Sequence, residues 1–422
     1  MKQTKEIKKS GIISMIFGLL IIGFFFQNSI QIFFTPFNYF DEIVSLLFLG
    51  IYLIQILKEE KILSIDLIFF AISTFCIFWG LYGNHISHAQ SNFVFVIADI
   101  VSTFRFIYIY MGLKTLFNLT LNKKLMYTQI FYWLGLVLKL YVSIVFAFAI
   151  LNLFININMS FDTRFGLRSF AFVFGTPGLV INQMTYALIF FTTYKKIISK
   201  KVNFYIGITL IIILLTLRAR ALLLVVGYFG MYFATVWTRS RHMKIKALIG
   251  GATLTLLGYS QFRYYFLLSD LTPRRRFVDG AIQLMRTYKP FGSGFATFGS
   301  SAAAQSYSEI YNVLGFTYLR GMGPMDQLFL NDNYFPMIFG QLGIIGAIFF
   351  LVLLYLFARD FLRNYFMNRN ATSRVISGFI ILDIFLSSVQ SSYLAHYSVV
   401  ALIFIGLFCL NALKNKNEIV GR

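Results

Sequence analysis

The chain has 422 residues, of which 58% are hydrophobic and only 13% charged, with a mean hydropathy of +0.73. Soluble domains carry about 25% charged residues, so a soluble globular enzyme is excluded, and so is a disordered chain. The formal net charge of +21 would point to nucleic acid in a soluble protein; here the charges have first to be placed relative to a membrane.

A spanning helix needs about 20 mostly apolar residues. The hydropathy pattern predicts an all-α, polytopic membrane helix bundle of about twelve spans, at 11–33, 40–57, 62–83, 92–113, 126–152, 169–193, 203–218, 221–238, 246–266, 334–358, 375–394 and 397–413. Spans seven and eight form one apolar run broken only by Arg218 and Arg220, read as two short helices and a tight turn; one long span is the alternative. The basic leader MKQTKEIKKS precedes an apolar run with no small-residue cleavage site, which reads as an uncleaved anchor. Lys and Arg collect in cytoplasmic loops. With both termini inside, 24 of the 37 Lys and Arg fall on the inner face, so the net charge needs no nucleic acid. Cys76 and Cys409 lie inside apolar runs and read as small core residues, and the four histidines lack metal-ligand spacing.

Arg164, Arg168, Arg218, Arg220, Arg263, Arg274, Arg275, Arg276, Arg286, Lys289 and Arg320 fall on the outer side instead. All but one are arginine. Guanidinium binds phosphate bidentately and is weakly hydrated, so this surface points to a phosphate-bearing ligand; anionic lipid headgroups are the plainer alternative. The one long loop, 267–333, divides the chain into spans one to nine (1–266), a large extracytoplasmic loop, and spans ten to twelve (334–422). In that loop Phe277, Ala281, Leu284 and Met285 share one helix face, with Arg276, Asp279, Gln283 and Arg286 opposite. The expectation is a partly helical cap lying on the membrane surface with its apolar stripe on the bundle. Gly292 and Gly294 in KPFGSGFATFG permit tight turns, and Asp332 and Asn333 stand at the mouth of span ten.

Four elements then resemble the superfamily of O-antigen polymerases and ligases, which includes capsular polysaccharide polymerases. They are Arg164…Arg168…Gly175-Thr-Pro177-Gly178, Leu217-Arg218-Ala-Arg220, Arg276…Pro290-Phe-Gly-Ser-Gly294…Phe298, and Asp332-Asn333-Tyr334 followed by Gly340, Gly343 and Gly346. The resemblance covers roughly residues 160–360. It implies a GT-C-like membrane glycosyltransferase with no cofactor. Donor and acceptor would both be undecaprenyl-pyrophosphate-linked glycans, in contact with membrane lipid, and a chain-length regulator stays open as a partner. Ligases of the superfamily carry His where this chain has Asp332, which favours a polymerase; the turn also lacks the family's Ser, with Ala219 before Arg220.

The chemistry needs a base for the attacking hydroxyl and stabilisation of the departing diphosphate. Asp332 is the candidate base; its plainer reading is an acid at a helix N-terminus. Arg164, Arg168, Arg218 and Arg220 are the candidate diphosphate clamp, with Arg276 and Arg320 as further substrate contacts. No metal motif is present, and arginine can take that electrostatic role. Asp326 and His396 are weaker candidates on outer segments. Asp99, Arg105, Lys139 and Asp383 lie within spans, where charges are normally paired; Arg105 with Asp383 is one pairing among several. The three glycines 340, 343 and 346 are expected to allow close helix packing. The competing functions are a ligase of the same superfamily and a lipid-linked oligosaccharide flippase or transporter.

Overall fold

The computed structural model describes residues 2–59, 64–119, 123–237, 259, 263, 272–366 and 370–420. It is mostly helical. Among the described residues eight helices are long and apolar enough to cross a membrane, which makes a polytopic helical bundle. They lie in α1 (Lys2–Phe33), α2 (Phe40–Glu59), α3 (Ser64–Ser87), α4 (Phe93–Leu119), α5 (Lys123–Phe154), α12 (Tyr334–Tyr365), α13 (Ala371–Gln390) and α14 (Tyr397–Val420). Each matches one of the twelve expected spans. The last helix forms the axis. Its residues from Val399 to Leu413 are almost wholly buried apart from Asn411, and Phe404 and Phe408 pack on Phe17, Phe24, Phe48 and Phe131. A helix that is apolar all round belongs in an interior.

The remaining expected spans differ. α6 (Pro177–Ile197) begins eight residues later than expected and buries Asn182, Gln183, Thr185, Thr192 and Thr193, so it is a polar-bearing core helix. The tight turn between spans seven and eight is present: α7 (Asn203–Leu215) ends before Arg218 and α8 (Ala219–Tyr232) starts after it. At 1.5 Å per residue α7 is about 20 Å long, short of a 30 Å hydrocarbon layer, while α8 runs on through a π-helical stretch, Phe233–Trp237, to the edge of the described residues. The ninth span, 246–266, lies almost entirely outside the described residues.

The all-α expectation missed a hairpin. β1 (Ser160–Arg164) pairs antiparallel with β2 (Leu167–Phe170), with Arg164 opposite Leu167. The two turn residues, Phe165 and Gly166, both have positive φ, the requirement of a two-residue turn that matches strand twist.

The amphipathic helix of the long loop is α9 (Pro273–Thr287); Phe277, Ala281 and Leu284 of its expected apolar face are buried, and Met285 is only half-buried. With α10 (Ser301–Ser306) and α11 (Glu309–Val313) it builds a small separate core around Phe298, Tyr311, Phe316 and Leu330. The segment after α9 is not a surface cap. Residues 292–300 are all buried, sunk between α3, α4 and α12. Buried backbone must find hydrogen-bond partners, and here it does. Asn84 bonds both the Phe295 N–H and carbonyl at 2.7 Å, Ser87 donates to the Ser293 carbonyl, and Asp99 accepts from Ala296 N–H. α12 supplies the rest by breaking. Gly343 has φ 63° and ψ −173° inside it, and the carbonyls of Gly340 and Gln341 accept from Ser293 and Gly294 N–H at 2.9 and 2.8 Å. The glycine set thus serves a helix break as well as close packing.

Gly294 is locked by this arrangement. Its φ is +89°, and an added Cβ would stand 2.3 Å from the Asn84 nitrogen. Gly294→Ala is expected to cost at least about 2 kcal/mol through strain and lost hydrogen bonds. Limited proteolysis should then cut within 289–300 in the variant and not in the wild type; equal resistance would show that the loop tolerates displacement.

Candidate functional site

The candidate arginines separate into three groups. The first lies at the hairpin. In a strand, residues i and i+2 share a face, which brings Asp162 and Arg164 together; Arg164 Nε lies 2.9 Å from the Asp162 carboxylate and Arg218 Nη2 lies 3.3 Å from it. Ser169 also donates to Asp162, and the Arg218 guanidinium sits 5.0 Å from the Phe161 ring centre. Burial alone would raise the Asp162 carboxyl, but Ser169 and the two arginines outweigh it and hold the carboxyl below its ordinary range. Arg168 donates to the Asn152 carbonyl at the end of α5. Two residues of the expected clamp therefore converge from distant parts of the chain, on a carboxylate that nothing in the sequence pattern singles out.

The second group is buried in the bundle. Arg220 is 5% exposed and donates to Asp383 and to Asn182, each at 2.7 Å. Asp383 is fully buried and also accepts from Ser387 and Tyr393. Arg105 does not pair with Asp383. It bonds Asp41 and the Ala395 carbonyl, with Glu42 at 3.8 Å, and Asp41 takes a further hydrogen bond from Gln27. Lys139, within α5, lies 3.4 Å from the Tyr194 hydroxyl.

The third group surrounds Asp332. Arg274 in the first turn of α9 places Nε 3.6 Å from the Asp332 carboxylate and donates to the Gln390 carbonyl. The same segments are tied by Ser392 N–H to the Asn331 carbonyl at 2.9 Å. Burial pushes the Asp332 carboxyl above its ordinary value, against the opposing pull of Arg274. Arg275 pairs with Asp279. Arg276 is half-buried, and its Nε meets no hydrogen-bond partner among the described residues. Arg320 is exposed, and Asp326 caps the Gly321 N–H.

Beside Asp332, between α9 and the start of α12, runs a hollow of about 390 Å³ lined by Val278, Ile282, Met285, Phe335 and Phe339, with Arg275 and Asn333 also in its wall. Asn333 is 2% exposed, and its Nδ2 has no partner among the described residues. A buried amide donor left unmade costs about 1–3 kcal/mol, which makes Asn333 a strained point in the wall of the hollow. A slot of hydrocarbon with guanidinium and amide groups at one edge suits a molecule that is apolar along its length and polar at its head.

The chain matches no family model and no curated protein.

Proposed function

We propose that the protein is a metal-independent glycosyltransferase. It polymerises undecaprenyl-pyrophosphate-linked oligosaccharide repeat units into a surface polysaccharide, at the outer face of the cytoplasmic membrane. The observation that carries this reading is the Asp332 carboxyl, of raised proton affinity, next to Arg274 and beside an apolar hollow with an unfilled amide donor. In this reading both termini are cytoplasmic and α9 lies at the outer boundary. The lipid chain enters the hollow. The acceptor hydroxyl attacks the anomeric carbon of the donor glycan and gives its proton to Asp332; the carbon–oxygen bond to the lipid diphosphate breaks, and its electron pair leaves with the diphosphate. This requires the substrate to bridge the Asp332 group and the separate hairpin group, where Arg164 and Arg218, steadied by Asp162, together with Arg168, offset the charge that builds on that leaving group. Arg276 adds a guanidinium with an unfilled Nε donor, and Arg320 lies at the exposed rim. Arg220 contributes through Asp383 and the walls of the bundle.

Reconstitution in vesicles with lipid-linked repeat units tests the reading by product length. A polymerase lengthens the glycan on lipid, a ligase moves a finished glycan to another acceptor, and a flippase leaves single units unchanged and relocated. The arginine pair has its own test. Arg218→Lys and Arg164→Lys keep the charge but lose the planar fork, and each is expected to lower chain extension at least about ten-fold while the protein still inserts. Wild-type chain lengths in both variants would remove the pair from the chemistry.

A further inference from the structure

We propose that the polar network around His396 is a subsite for the neutral hydroxyls of a sugar, with the imidazole Nε2–H as a fixed donor. This inference rests on the glycan-assembly reading and assigns the acceptor sugar to a place apart from Arg164, Arg168 and Arg218.

The hydrogen bonds fix the tautomer. Ser398 Oγ accepts from Asn182 Nδ2 at 2.9 Å. Its own hydroxyl proton is then directed to His396 Nδ1, also at 2.9 Å. The Ser398 backbone N–H approaches the same Nδ1 at 3.3 Å. An imidazole nitrogen that accepts twice carries no proton, so the proton resides on Nε2. Among the described residues no acceptor meets Nε2. The ring cannot drift, because Tyr397 lies against it at 4.1 Å between ring centres and Arg105 holds the neighbouring Ala395 carbonyl.

The ring also stays uncharged. Burial comes first and the nearby Arg105 and Arg220 guanidinium groups add to it, pulling the imidazole down to about 3. It is therefore a neutral donor at any physiological pH. Arg105 and Arg220 nearby are each 5% exposed, and their Nε atoms, enclosed by the fold, find no hydrogen-bond partner among the described residues.

Charge decides what such a place holds. Arg105 and Arg220 face Asp41, Glu42 and Asp383, so the cluster has no surplus positive charge with which to hold a phosphate. Oriented neutral donors among balanced ion pairs, with the Tyr393 face beside Arg220, suit hydroxyl groups. The location fits the reaction, since the segment that leads to His396 is hydrogen-bonded through Ser392 to the residue before Asp332.

The test measures binding of two probes to the full-length protein in nanodiscs. One is the phosphate-free repeat-unit oligosaccharide, released from the cell's own polysaccharide; the other is inorganic diphosphate. His396→Ala is expected to weaken oligosaccharide binding about ten-fold and to leave diphosphate binding unchanged, which also shows that the variant is folded. His396→Gln restores an N–H donor and should recover most of the affinity. Arg218→Ala should give the reverse pattern. Oligosaccharide binding that is absent in the wild type, or equal in wild type and His396→Ala, overturns the inference; so does a loss that Gln does not rescue. If the oligosaccharide binds through His396 while no polymer forms, the subsite stands and the polymerase reading falls. If polymer forms while glycan binding is indifferent to His396, the subsite falls and the polymerase reading stands.

Discussion

Replacing Asp332 with Asn is expected to lower polymer formation by at least about 100-fold, the scale of losing a general base, while leaving the protein as stable as the wild type at pH 7, or more so. The stability half of this expectation follows from the sign of the shift. The folded state raises the Asp332 carboxyl above its ordinary value, so it binds the proton more tightly than the unfolded chain does. That contribution is fully present below the unfolded value of about 3.9 and is lost as pH rises through the folded value. At neutral pH the ionised carboxyl is a cost, which the amide removes, and Arg274 keeps its bond to the Gln390 carbonyl. The same shift predicts the pH profile of the wild type. On the proposed mechanism turnover needs the ionised base, so it should rise with pH through a midpoint above the normal carboxylate range. Thermal unfolding in detergent and turnover in vesicles, measured on one preparation, check both halves. Retained synthesis in Asp332→Asn would return the residue to a helix-terminal acid; lost synthesis with a large drop in stability would mark it as structural.

The second large effect concerns stability. Asp383→Ala leaves the Arg220 guanidinium buried and without its carboxylate, and breaking a buried pair in this way costs about 3–5 kcal/mol. Asp383 is 0% exposed and also accepts from Ser387 and Tyr393, which places the effect toward the upper end. Removing both charges with apolar residues of similar size, Arg220→Met with Asp383→Leu, should restore much of the stability. Denaturation of the three proteins in the same detergent measures this. An Asp383→Ala variant within about 1 kcal/mol of the wild type would mean that water reaches Arg220.

Much of the architecture was legible because it follows from local pattern. Residues Phe277, Ala281 and Leu284 recur at helical spacing, and their face is the one α9 buries. Two arginines interrupting one apolar run marked the turn between α7 and α8. The hairpin was also within reach, since Phe165-Gly166 is a turn dipeptide and Asp162 and Arg164 share a strand face. Other features depend on residues far apart in the chain. Whether Arg105 would take Asp41 or Asp383 depends on how α2, α4, α8 and α13 are arranged, and span-level hydropathy holds no record of that. The burial of 292–300 was hidden for the same reason: its donors and acceptors come from Asn84, Ser87, Asp99 and Gly340. The candidate residues could be named from their types alone. Its division into a hairpin group, a buried pair and the Asp332 group was not, because each arginine's role is set by the acid it meets.

The break in α12 bears on how the chain comes together. Ribosomal synthesis delivers 289–300 before the helix whose open carbonyls receive it. Until α12 arrives, the backbone N–H groups of Ser293 and Gly294 lack those acceptors; without the earlier segment, the Gly340 and Gln341 carbonyls would face lipid unsatisfied. Neither half is complete alone, so the segment 272–333 cannot be transplanted between proteins as an interchangeable module. A chimera that exchanges 272–333 must bring its own Asn84, Ser87 and Asp99 equivalents and a helix interrupted at the same depth.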